Sequence, residues 1–306
     1  MFVGHISVDK VENVNGTHVQ PGGAALYAAM AARTLFQNVT LISATGKDNK
    51  FIDVLNLLPY KDVKTYDASS TKFHIKYDSS WEANYLKVEH GAGSKITSRR
   101  ISKRWLKHKS IFHISPMQPS NVAKILDKIK QKSPETKVSV NTWINYIRES
   151  RKNRKILKDI ALKADFFIVN DTEAKALAQT TSISSAVRLL KAKNLILTLG
   201  NLGAVVNSEK VGLQMIPSVT LAPDKIVDTT GAGDVWCGAF LAAYNLTEDF
   251  GKSIGVASTI SRIKCSDWGF KSLINLRFKE PDDVIDFFMS LKDGVIQKTM
   301  PDYIKD

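Results

Sequence analysis

Phe166-Phe167-Ile168-Val169-Asn170-Asp171-Thr172-Glu173-Ala174-Lys175-Ala176-Leu177-Ala178 changes its kind of order partway along. Four consecutive large apolar residues read as a strand buried on both faces, and the alanine-rich end reads as a helix. Between them, Asn170 or Asp171 is suited to cap the helix, with Glu173 near the positive end of its dipole. The same switch recurs on both sides. Strands are predicted at 111–115, 138–140 and 195–199, and helices at 122–129, 156–162 and 186–190. Such alternation implies βαβ units, a mainly parallel sheet and helices on both of its faces. The expected class is α/β, in three layers α/β/α.

Toward the N-terminus, residues 2–8 are apolar and β-branched, predicting a buried strand that ends near Asp9. Asn13, Asn15 and Gly16 place a short hairpin at 11–20, and Pro21-Gly22-Gly23 ends it before an alanine-rich helix at 24–36 and a strand at 39–44. Phe73, Ile75 and Tyr77 alternate with polar residues, Asp78-Ser79-Ser80 interrupts, and Tyr85, Leu86 and Val88 resume. That pattern predicts a second hairpin with one wet face. Residues 203–216 read as a closing antiparallel hairpin, and long helices follow from Asp234, Asp249 and Asp282. With no internal repeat, low-complexity tract or proline-rich linker, the expected layout is one domain over 1–306 with a small β-sheet lid from excursions at 11–20 and 71–88. Bare lid edges would favour a homodimer.

Composition narrows the function classes. An apolar share of 43% and a charged share of 24% belong to an ordinary globular chain. No apolar run is long enough to cross a bilayer, and the apolar start is broken by His5 and Asp9, so a cytoplasmic protein without a membrane partner is expected. Cys237 and Cys265 form no metal cluster or disulfide framework; Cys237, within an apolar run, reads as a buried thiol. The formal charge of +13 is dispersed, with clusters at Arg99, Arg100, Lys103 and Arg104 and at 151–158. These look like exposed helix faces or ends. No zinc-finger or RNA-binding signature accompanies them, so no specific nucleic-acid partner is expected. A basic surface does attract an anionic nucleotide.

The chemistry is concentrated in Asp228-Thr229-Thr230-Gly231-Ala232-Gly233-Asp234, which opens an apolar helix carrying Val235, Trp236, Phe240, Leu241 and Tyr244. Small residues let the backbone turn sharply and approach a ligand. The first N–H groups of the helix lack internal partners and its dipole favours negative charge, which suits a phosphate. A carboxylate beside that phosphate is costly unless it acts as a base toward an incoming hydroxyl. The string lacks the Gly-Lys-Ser/Thr ending of a Walker A loop and the spacing of a dinucleotide fingerprint.

This string resembles the C-terminal signature of the ribokinase-like, or PfkB, carbohydrate kinases, and weaker matches extend from Asp9 to Gly269. The resemblance implies an ATP-dependent kinase acting on a hydroxyl of a small sugar or polyol. Gly231, Ala232 and Gly233 would supply the anion hole, and Asp234 would be the general base. Asn170 and Glu173 match an Asn-x-x-Glu element that places phosphate and hydrated Mg²⁺. Thr198, Gly200 and Gly203 match the strand-end segment that receives ATP, with Ser258 and Ser261 on a helix flanking adenine. Asp9, Gly22 and Gly23 match residues that hold substrate hydroxyls. A monovalent cation, K⁺, is implied at Asp228 and Thr230.

The chain departs from the family pattern at Tyr27, where asparagine is common, at Ala24, where ribokinases proper carry lysine, and at Asn141-Thr142-Trp143, where relatives often have Asp-x-Asn. These departures weigh against ribose and place Tyr27 beside the substrate, lining a wider or more apolar pocket. A nucleoside kinase uses the same machinery and is the alternative within enzymes. A catalytically idle nucleotide sensor and a nucleic-acid binder are the alternatives outside them.

Overall fold

The computed structural model describes residues 1–106, 110–218 and 226–290. Two compact units are present: among the described residues, 1–96 with 226–290, and 97–106 with 110–218.

In the first unit, β1 (Phe2–Val3) is followed by β2 (Ser7–Asn13), β3 (Gly16–Gly22), α1 (Ala24–Ala32), β4 (Thr40–Gly46), β5 (Tyr60–Tyr66), β6 (Thr71–Tyr77) and β7 (Ala83–Glu89). Strands β1, β4 and β5 run parallel, Phe2 opposite Leu41 and Thr40 opposite Tyr60. Every residue of β4 is buried, as its uninterrupted apolar and small composition demands. A separate four-stranded sheet has the order β3-β2-β6-β7. Its inward residues Val11, Ile75 and Tyr77 form a small core with Phe73, Trp81, Tyr85 and Trp268, while Val14 and Leu86 stay exposed.

One sequence reading is corrected. Residues 2–8 are not one strand: the chain leaves β1 after Val3 and enters the smaller sheet at Ser7, so that Asp9 lies on β2. The first hairpin accordingly covers Ser7 to Gly22, wider than 11–20. Strand β5 carries no fully buried residue, so no apolar run marks it in the sequence.

The second unit contains β8 (Ile111–Ile114), α2 (Pro119–Lys132), β9 (Lys137–Asn141), α3 (Ile144–Glu149), α4 (Arg151–Lys163), β10 (Phe166–Asn170), α5 (Asp171–Ala178), α6 (Ile183–Leu189), β11 (Asn194–Thr198), β12 (Ala204–Ser208) and β13 (Gly212–Ile216). Strands β8 to β11 are parallel neighbours in chain order, and β12 and β13 close the row as an antiparallel hairpin. Phe166, Phe167, Ile168 and Val169 are all buried, the arrangement their composition predicted. The basic run of 151–158 falls on α4, whose Leu157, Ile160 and Ala161 form the buried face.

The first unit is completed by α7 (Ala232–Thr247), α8 (Phe250–Lys264) and α9 (Pro281–Ser290). Helix α7 is buried from Val235 through Tyr244 and stacks Trp236, Phe240 and Tyr244 at four-residue spacing, with ring centroids 5.4 and 5.7 Å apart. It approaches α1 closely because position 238 is glycine; a Cβ there would stand 2.0 Å from the Ala28 carbonyl oxygen. Both cysteines are free and buried. Among the described residues no helix is long and apolar enough to cross a membrane.

Candidate active site

In the first unit, β2 and β3 bring Asp9 against the diglycine. Asp9 is 2% exposed and accepts a hydrogen bond from the Ser7 hydroxyl at 2.6 Å. A Cβ at Gly22 would lie 1.8 Å from Asp9 Oδ2, so a side chain there would displace the carboxylate. Gly23 has φ +101° and caps α1, and its absent Cβ would fall 2.4 Å from the His5 carbonyl. Burial pushes the Asp9 carboxyl up to about 7; the Ser7 hydroxyl opposes the shift, and the nearby charges of Asp228 and Asp234 add to it. Asp9 and Asp234 therefore share one electrostatic neighbourhood.

The turn before α7 is built on Asp228. Its Oδ1 accepts the Thr230 N–H at 2.8 Å, and its Oδ2 accepts the Gln20 side-chain amide at 3.0 Å and the Gly269 N–H at 2.9 Å. The Lys264 ammonium donates to the Asp228 main-chain oxygen at 2.7 Å and lies 3.2 Å from Oδ2, with both side chains fully buried. Burial alone would raise the Asp228 carboxyl, but the ammonium and the bonds from Thr230 and Gln20 outweigh it and hold the group below the usual range. Removing one partner of such a pair costs about 3–5 kcal/mol.

Gly231 follows in the left-handed region, φ +72°, and a Cβ there would run into the Tyr27 ring at 2.4 Å. Tyr27 is thus the floor under the turn. It is 1% exposed, its phenol receives the Gln20 amide at 3.2 Å, and its ring meets Phe270 edge-on. The Ala232 N–H, expected in the anion hole, turns back to the Thr229 carbonyl at 3.0 Å. Gly233 is exposed, and nothing lies within 4 Å of the Cβ it lacks. Open space at the first turn of a long helix, where backbone N–H groups have no carbonyl four residues back, fits a phosphoryl group. Asp234 stands in that turn, partly exposed.

Two serines assigned to the nucleotide have partners within this unit. The Ser258 hydroxyl accepts from the Trp236 indole at 3.2 Å, and the Ser261 hydroxyl donates to the Ala232 carbonyl at 2.8 Å. Both fasten α8 to the first turns of α7. The smaller sheet is also tied to the turn. The Asn13 side-chain amide donates to the Val227 carbonyl, the Asn15 amide reaches the Ile226 and Val227 carbonyls, and the Tyr77 phenol lies against the Thr229 and Thr230 hydroxyls.

In the second unit the remaining candidates gather at the C-terminal ends of β9, β10 and β11, where parallel sheets receive ligands. Asn141 is in register with Ile168, and Asn170 with Thr198. Asn170 and Glu173 form a reciprocal capping box: the Asn170 side chain accepts the Glu173 N–H at 2.8 Å, and the Asn170 N–H reaches the Glu173 carboxylate at 3.0 Å. Gly200 has φ +57° with open space around it. Gly203 has φ +106° and abuts the Ile216 carbonyl, 2.1 Å from where a Cβ would be.

Sequence reasoning passed over Gln20 and Lys264. Gln20 had one signal, its place immediately before Pro21-Gly22-Gly23. Lys264 had none, since only the fold brings it to Asp228.

The model of the pfkB family carbohydrate kinases matches residues 2–273. The chain is 28% identical over 278 residues to the cytidine kinase of Thermococcus kodakarensis, covering 88% of this chain and 96% of that protein. It is 26% identical to the ribokinase of Lactococcus lactis, covering 87% and 90%. The solved structure of a Burkholderia thailandensis nucleoside kinase in complex with inosine superposes with a TM-score of 0.75 at 18% identity, over 94% of this chain and 95% of that one, a likeness of fold. With the fold ribokinase-like and the family model spanning nearly the whole described chain, this protein belongs to the pfkB family of carbohydrate kinases, ATP-dependent phosphotransferases whose acceptor is a hydroxyl group.

Proposed function

We propose that the chain transfers the γ-phosphate of ATP to a hydroxyl of a small sugar or polyol that Asp9 holds by two neighbouring hydroxyls. The observation that carries this reading is the buried Asp9 carboxyl, hemmed in by Gly22 and electrostatically coupled to Asp234 at the head of α7. A carboxylate accepts from two hydroxyls and brings no competing donor of its own. Asp234 takes the hydroxyl proton as the oxygen bonds to the γ-phosphorus, the bond from that phosphorus to the β,γ-bridging oxygen breaks, and ADP leaves. The first-turn amides around Gly233, aimed by the Gly231 turn, stabilise the charge on the transferring group. Ala232 contributes through the Thr229 bond that shapes the turn, and Tyr27 supports Gly231 from beneath.

Asn170 and Glu173 are assigned to the phosphates and to hydrated Mg²⁺, and Thr198, Gly200 and Gly203 to the nucleotide. Mg²⁺ would neutralise phosphate charge; such an ion characteristically keeps several waters and binds through substrate phosphates with one or two carboxylates. The sheet of β2, β3, β6 and β7 is assigned as the lid, its closure excluding water that would otherwise hydrolyse ATP. The chain would work as one functional domain in the cytoplasm. Two copies would associate through the lid, where Leu86 on edge strand β7 is 50% exposed. Light scattering that finds only monomer at high concentration removes that last assignment.

A nucleoside acceptor is the second reading, favoured by the similarity to a cytidine kinase over 96% of that protein's length. A ribosyl group presents the same neighbouring hydroxyls to Asp9. A coupled ADP-release screen over sugars, inositols, sugar acids and nucleosides separates the readings. The first expects its best kcat/KM among sugars or polyols, and a clear preference for cytidine, inosine or adenosine replaces it with the second. ATP binding without transfer to any member would leave a nucleotide sensor.

A further inference from the structure

Family resemblance implies a free monovalent cation at Asp228 and Thr230, yet the chain already brings a positive charge there. The Lys264 side chain is fully buried, and its ammonium contacts the Asp228 main-chain oxygen at 2.7 Å and Oδ2 at 3.2 Å. The Tyr27 ring centroid lies 5.6 Å away, giving the cation a π face as well. One carbonyl, one carboxylate and one aromatic face in a dry setting are the surroundings in which a desolvated monovalent cation is stabilised. An ammonium group and a potassium ion are close in size and equal in charge.

We propose that Lys264 is a tethered replacement for the monovalent cation, so that this chain shapes its phosphate turn without potassium. The proposal rests on the kinase reading for its consequence and on the geometry for its location. Lys264 is a positioning residue. It fixes the main chain and carboxylate of Asp228; Asp228 fixes the Thr230 N–H, and Thr230 leads directly into the left-handed Gly231 below Gly233 and Asp234. The end of α8 is locked to the same place, because the Val227 N–H donates to the Cys265 carbonyl at 2.8 Å. A cation that diffuses in would compete with an ammonium that cannot diffuse away.

The test uses the full chain at constant ionic strength, with choline chloride exchanged for potassium or ammonium chloride. Native protein is expected to keep its turnover and its melting temperature across the exchange. Lys264→Met keeps the bulk of the side chain and removes the charge. It should lose turnover about 10²-fold, the effect of a misplaced turn, and regain both turnover and melting temperature, saturably, with potassium or ammonium but not choline. Native protein that gains melting temperature or turnover from potassium overturns the proposal, and so does a folded Lys264→Met protein that ignores both ions. Where Lys264→Met does not fold, the native protein's response alone decides. Melting needs no acceptor, so this arm judges Lys264 even if no hydroxyl compound is phosphorylated.

Discussion

The turn before α7 and the strand ends of the second unit carry comparable numbers of candidate residues, but local structure explains them to very different degrees. At the strand ends, Asn170 and Glu173 complete a capping box and Gly203 makes room for the Ile216 carbonyl, so α5 and the β12–β13 hairpin alone account for all three. Around the turn, folding alone would not choose the residues present. A carboxyl is buried at position 9 at the expense of its ionisation, and a fully buried ion pair, Asp228 with Lys264, underlies the turn. Residues that strain against stability are better evidence of function than residues that serve it. The turn therefore stands above the strand ends as the place of the chemistry the chain is proposed to perform, an order that substitutions can reverse.

Asp234→Asn should have the largest effect. Loss of the general base lowers kcat on the order of 10²–10⁴, while ATP binding by calorimetry stays near native because the first-turn amides are untouched. Near-native turnover would take Asp234 out of the chemistry and put the turn level with the strand ends. Gly22→Ala comes next. The added methyl meets Asp9 Oδ2 at 1.8 Å, so the carboxylate or β3 must shift, and kcat/KM should drop about 10²-fold with the circular dichroism spectrum retained. Unchanged kcat/KM would mean that Asp9 does not hold the acceptor.

What the sequence made legible follows the same divide. The parallel strands showed themselves because burial on both faces leaves unbroken apolar runs such as Phe166 to Val169, and residues 228–234 showed themselves because a sharp turn into a helix needs small residues. Bends and distant pairings leave no such trace. In the run from Phe2 to Val8 only Gly4 and His5 hint at where the chain passes from β1 to the smaller sheet, and Phe2, Val3, Ile6 and Val8 keep it apolar on both sides of them. Lys264 sits among Ser261, Arg262, Ser266 and Asp267, where a lysine reads as one more surface charge, and its partner Asp228 is 36 positions away. Tyr27 was visible as a departure, but its position beneath Gly231 is a property of α1 packing on α7.

Asp9 offers a graded test. If the acceptor is held by the ionised carboxylate, a group titrating at about 7 is roughly one-tenth charged at pH 6 and nine-tenths at pH 8, and KM for a neutral acceptor should fall about tenfold over that interval. Asp9→Asn should show a high KM that does not vary with pH. Stability runs the other way. The folded carboxyl titrates above its unfolded value of 3.8, so its contribution is complete below that value and declines as pH rises through about 7. Asp9→Asn should therefore gain melting temperature relative to the native chain between about pH 4 and pH 8. A constant gap would show that Asp9 is not held in a costly ionised state.

Asn170 decides whether the strand ends are more than structure, and its effects should be the smallest. Asn170→Ala removes the side-chain acceptor of the Glu173 N–H and should cost about 1 kcal/mol, the usual loss for a helix cap. Asn170→Ser keeps a capping oxygen and should restore the melting temperature, since serine caps about as well as asparagine. A shorter side chain cannot also reach outward to a phosphate or to the water shell of Mg²⁺. Turnover at limiting Mg²⁺ should therefore stay reduced in both variants while stability recovers in one. If serine restores turnover along with stability, Asn170 is a cap alone, and the nucleotide must be held by other residues.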